Sequence, residues 1–154
     1  MEKILIKKSS TADTRTCDWS KVSKDQLYEA SKQHIEDVRR GLFFLMEKLR
    51  IALLDHDRTK LAYIDLFHRE FQTGFKTIEW WEMHQKEERH HFNNPDYIQD
   101  DVNLLDVLEQ IVDGVMAGMA RSGQYRKEVP SAQLLLKAYE NTAKLLLEQV
   151  EVEE

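Results

Sequence analysis

The 154-residue chain carries 42% hydrophobic and 32% charged residues, the balance of one ordinary globular domain and not of a disordered or membrane protein. Its net charge of −6, with both signs interspersed, excludes nonspecific nucleic-acid binding, which needs clustered cations on phosphates. A single cysteine, Cys17, excludes an internal disulfide and a CxxC metal knuckle, so any metal must be held by histidines and carboxylates.

No apolar run has the length of a transmembrane helix, and the opening MEKILIKKSS lacks the apolar block and small-residue cleavage site of a secretion signal. A cytoplasmic protein with no membrane partner is expected. With only two prolines and five glycines, most of the chain lacks helix breakers and strand turns, and the expected fold class is all-α. Residues 1–22 read as a short irregular N-terminal arm, with a weak strand signal at Ile4-Leu5-Ile6, and residues 23–154 as one helical domain.

Ser23 with Gln26 three residues later forms a capping-box signal, predicting that a helix starts there. Leu27, Ala30, His34, Val38, Leu42, Leu45 and Leu49 then recur at helical spacing, the mark of one buried face. Ile51 to Phe75 is again helical in period, with Gly74 as its end. The next helix is expected from Lys76 through Trp80, Trp81 and His84 to about Phe92, stopped by Asn93-Asn94-Pro95. Asp100 or Asp101 can cap a further helix that ends at Ser122-Gly123, and Ser131 can cap a last one running to Val150. The apolar faces at both ends of the chain permit a homodimer, although burial within one bundle explains them equally well.

All six histidines lie in the central part of the chain. The most specific element is Leu53-Leu54-Asp55-His56-Asp57-Arg58-Thr59-Lys60, an apolar run that leads directly into adjacent His and Asp. Neighbours on a helix point about 100° apart, so both can meet one ion only near a helix end, or if the carboxylate reaches a second metal. An imidazole binds one divalent ion, whereas a carboxylate can hold one ion with each oxygen. Lys60, four residues after His56, lies on the same helical face and could hold a phosphate oxygen.

His34 followed by His56-Asp57-Arg58-Thr59-Lys60 resembles the H…HDxxK signature of the HD superfamily. The resemblance implies an HD-type helical bundle of about five to six helices and a divalent metal held by His34, His56, Asp57 and an aspartate on a late helix. In two-metal branches, further histidines between the HD pair and the last aspartate complete the second site, and His84, His90 and His91 occupy that interval. The stretch from Gln33 to about Gly123 is also similar to small HD-like proteins encoded by bacteriophages.

The late aspartate is assigned to Asp113, whose small and apolar neighbours favour burial, with Asp106 on nearly the same face as its rival. An unbroken helix aligns His84, Glu88 and His91, which ranks His91 above His90; a break near Arg89 reopens that choice, and both are kept. Arg121, two turns beyond Asp113, could bind a substrate phosphate, or it is a solvated arginine favoured by the helix dipole. His68 fits a supporting position better than a ligand one, and Trp80 and Trp81 are read as core.

The expected activity is that of a metal-dependent phosphohydrolase with one or two ions of Mn, Fe, Co or Zn. Asp57 and Lys60 act in catalysis, and Lys60 and Arg121 hold the substrate phosphate. The substrate is a small phosphorylated molecule, a nucleotide by the family resemblance. Two alternatives stand beside it: a di-iron oxygenase using the same His and Asp set, and a non-catalytic helical interaction protein with a structural metal.

Overall fold

The computed structural model describes residues 3–11, 13 and 15–153. Met1, Glu2, Ala12 and Thr14 of the expected N-terminal arm lie outside the described residues. A strand β1 (Ile4–Lys7) precedes helices α1 (Lys24–Asp55), α2 (Arg58–Ala62), α3 (Ile64–Gln72), α4 (Glu79–Glu87), α5 (Leu104–Ser122) and α6 (Ala132–Leu147), and strand β2 (Val150–Glu153) follows. The class is therefore all-α with a minimal sheet. Among the described residues no helix is long and apolar enough to cross a membrane. Two compact units divide the chain, the first from Met1–Glu47 with Lys144–Glu154 and the second from Lys48–Ala143.

In the first unit, β1 pairs in parallel with β2, Ile4 opposite Val150 and Ile6 opposite Val152. The tail expected to continue the last helix to Val150 is instead extended from that residue on. α1 opens with the capping box: Gln26 N–H donates to Ser23 Oγ at 3.2 Å, and Ser23 N–H donates to Gln26 Oε1 at 2.9 Å. The stripe expected to form one buried face is mostly uncovered. Ala30 is buried, but Leu27, Val38, Leu42 and Leu49 are 37–61% exposed. A helix of 32 residues is about 48 Å long.

The second unit holds the breaks that periodicity concealed. The segment Ile51 to Phe75 is interrupted at Asp57 and again at Tyr63 before α3 ends near Gly74, whose φ of +66° suits glycine. Glu70, 1% exposed, joins α3 to α4: its carboxylate accepts the N–H groups of Trp80 at 2.9 Å and Trp81 at 3.3 Å, satisfying the otherwise orphaned start of α4. Phe67 stacks on Trp80 at 3.9 Å between centroids, and Trp80 stacks on His84 at 4.6 Å, so an aromatic column supports that histidine from below.

α4 stops at Glu87, short of the expected Phe92, because Glu88 is already extended. α5 is capped by Asn103 rather than Asp100 or Asp101: Asn103 Oδ1 accepts Leu105 N–H at 2.9 Å, and Asp106 accepts Asn103 N–H at 2.8 Å. Asp101 is drawn off instead to Arg89, 2.9 Å away. After Gly123 the chain turns back along α5, whose Gly114 and Gly118 admit it. A Cβ on Gly118 would lie 2.4 Å from Gln124 O, and one on Gly114 would lie 2.9 Å from Arg126 O. Ser131 Oγ accepts Leu134 N–H at 3.1 Å and opens α6.

Candidate metal centre

The centre is built around one unusual backbone position. α1 ends at Asp55, and Asp57 takes φ 55° and ψ 23°, the left-handed region that non-glycine residues rarely enter. On a continuous helix His56 and Asp57 would diverge. Here the reversal brings His56 Nε2 to 3.4 Å from Asp57 Oδ2 and 3.9 Å from Asp113 Oδ1. The other Asp57 oxygen, Oδ1, faces His84 Nε2 at 3.4 Å and His90 Nε2 at 3.8 Å, and His84 Nε2 lies 2.8 Å from His91 Nε2.

The separations of 2.8 and 3.4 Å match the edges of a coordination shell, and those of 3.8 and 3.9 Å are longer. Ligands about 2.1 Å from an ion stand about 3.0 Å apart at right angles and about 3.4 Å apart in a tetrahedron. Asp57 Oδ1 and His90 Nε2 are buried without a hydrogen-bond partner, which is costly unless something else meets them. Asp57, His84 and His91 form one group whose ligating atoms lie within 4.8 Å of one another, and His56, Asp57 and Asp113 form another.

The far nitrogens of these imidazoles are held from behind. Thr59 is 0% exposed; its hydroxyl donates to Glu88 Oε1 at 2.7 Å, and Glu88 also accepts Thr59 N–H at 2.9 Å. A hydroxyl has one proton, so Thr59 Oγ1 must accept from His84 Nδ1 at 2.6 Å, leaving the Nε2 lone pair directed at Asp57. Glu109 acts likewise on two rings, with Oε1 at 2.9 Å from His56 Nδ1 and 3.0 Å from His90 Nδ1. The His90 contact is close but poorly aligned as a hydrogen bond. Glu109, His56 and His90 could themselves surround an ion. Because Glu109 meets Nδ1 on both rings while Nε2 turns to Asp57, we assign it the role of fixing the rings, as carboxylates behind metal-binding histidines do.

Electrostatics agree with neutral ligands at two positions. Burial, with His91 adding repulsion, lowers His84 to about 3, and burial with repulsion from His90 lowers His91 to about 4. Burial also opposes the charge on His90, but Glu109 outweighs it and raises that pKa. Asp57 resists the effect of burial through Lys60, whose ammonium contacts Oδ2, and its pKa is lowered; Glu109 is lowered, against burial, by His90 and His56.

The structure thus brings together His56, Asp57, His84, His90, His91 and Asp113, with Lys60 beside them. His90 and His91 both enter because α4 has ended before them. Asp106 is elsewhere engaged, pairing through both carboxylate oxygens with Arg89 at 2.8 and 2.9 Å. His34 lies in the first unit, lining a groove with Lys7, Ser9 and Asp13. Arg121 is exposed in the last turn of α5, about 12 Å of helix rise beyond Asp113. His68 is exposed on α3.

Compared with known proteins, the chain matches no family model, no curated protein and no solved structure. Its chemistry is read from these residues.

Glu109 and Thr59 are the participants without a role in the sequence expectations. Glu109 carried a usable signal, since Asp106, Glu109 and Asp113 recur at three- and four-residue spacing on one helix. Glu88 was placed on the His84 face, but its partner Thr59 is unremarkable in sequence.

Proposed function

We propose that the second unit is a divalent-metal phosphohydrolase that cleaves a phosphate ester or anhydride, with a nucleotide as the substrate class that the HD resemblance implies. The observation that carries this reading is Asp57, whose two oxygens face different imidazole groups while one of them, Oδ1, is buried and unpartnered.

His56, His84, His90, His91, Asp57 and Asp113 offer more donors than one four-coordinate ion uses, and together they would hold one or two divalent ions. Imidazole and carboxylate together suit Mn, Fe, Co or Zn. When bound, such ions supply a hydroxide near neutral pH and offset charge on phosphoryl oxygens. The chain's own part is orientation. Thr59 and Glu109 hold the rings with Nε2 inward, and Asp57 and Asp113 provide the negative charge. Lys60, one-quarter exposed, places a cation at the edge of the centre where an anionic substrate would arrive.

The test is metal analysis of purified protein, followed by reconstitution with manganese, iron, cobalt and zinc and a screen of phosphatase, phosphodiesterase and pyrophosphatase substrates. Bound metal with metal-dependent phosphate release is the expected result. Failure to hold any of these metals overturns the metal centre. Oxygen uptake without phosphate release overturns the hydrolase and favours the oxygenase.

A further inference from the structure

α5 has a second face that the metal centre does not use. Leu108, Ile111, Val112, Val115, Met116 and Met119 are 37–67% exposed, and they share one side of the helix. Its centre lies about 130° around the axis from Asp113. The usual amphipathic arrangement is inverted here, with Glu109 and Asp113 turned toward protein and a continuous apolar stripe toward water.

We propose that this stripe is the interface between two copies of the chain, paired α5 to α5 about a two-fold axis. The area argues for it. Six large side chains exposed by a third to two-thirds leave several hundred Å² on one face, comparable to the largest apolar patch on a typical monomer, about 300–600 Å². Two such faces and their rims would bury on the order of 1,000 Å², the threshold of a specific protein interface.

The spacing suits a helix as the occupant. Leu108, Val112, Val115 and Met119 are separated by four, three and four residues, the seam spacing by which helices interlock. Antiparallel pairing sets Val112 against Val115 of the second copy and Leu108 against Met119, small with small and large with large. No charged side chain falls within the seam, so a chain of net charge −6 meets its copy there without placing like charges in contact. An acidic or basic partner would find nothing to pair with.

The experiment measures the mass of the full chain in solution by light scattering at tens of micromolar, with Val112→Glu/Val115→Glu alongside. The expected result is a particle of about twice 18.3 kDa for the parent chain and a helical monomer for the double variant. A second measurement covers loss of folding in that variant. In a Cys17→Ser background, Met116→Cys should be joined between chains by a short bis-maleimide, and Asp65→Cys on α3 should not. A monomeric parent chain overturns the proposal, as does a dimer that survives the double substitution or cross-links equally through both cysteines.

Discussion

Glu109 decides how two imidazoles present themselves, because a carboxylate behind Nδ1 keeps the proton there and frees Nε2. Glu109→Ala should therefore weaken metal binding about 10- to 100-fold with little loss of helicity. Nitrogen NMR of the metal-free protein should show His56 and His90 leaving the Nδ1–H tautomer, and unchanged tautomers would refute the role. Thr59→Val removes the hydroxyl that joins His84 to Glu88 and strands two buried polar groups, a loss of roughly 2–4 kcal/mol measurable by urea unfolding. At this scale the sequence was readable where the residue type is chemically rare, as with His56-Asp57 and the clustered histidines. It was silent at Thr59, whose importance lies wholly in partners 25 and 29 positions away.

Local hydrogen-bonding chemistry was the legible part of the elements. Ser23 with Gln26, Ser131 and Gly123 mark helix ends through contacts within a few residues, and those ends stand where the sequence puts them. Breaks made by tertiary contacts were not legible. α4 stops at Glu87 while Glu88 is committed to Thr59, and Asp101 gives up the cap of α5 for Arg89. The two glycines of α5 are clearances for the returning chain. Gly118→Ala should cost about 1–3 kcal/mol by overpacking against the backbone of Gln124 and Arg126, seen as a lower melting temperature. A melting temperature equal to that of the parent would show that the returning segment is loosely held.

For the whole molecule, the buried titrating groups set the acid limit. His84 and His91 stay neutral down to about 3 and 4, whereas in the unfolded chain they take up protons near 6.5. The unfolded state binds more protons over that interval, so their contribution to stability falls as pH drops below about 6.5. Asp57 and Glu109, both lowered, add to the loss at more acid pH; His90, raised, opposes it and contributes most below 6.5. Two imidazoles and two carboxylates outweigh one. Calorimetry of metal-free protein should show the melting temperature falling steadily from pH 6.5 to 4, and a flat profile would contradict these burials.

The left-handed turn at Asp57 also narrows what mutation can explore. Glycine and asparagine occupy that conformation readily, but neither brings a carboxylate; glutamate brings the carboxylate but not the ease of turning. Two independent demands meet at a single codon, and aspartate alone among the twenty residues answers both, so the position offers no neutral neighbour through which its chemistry could drift.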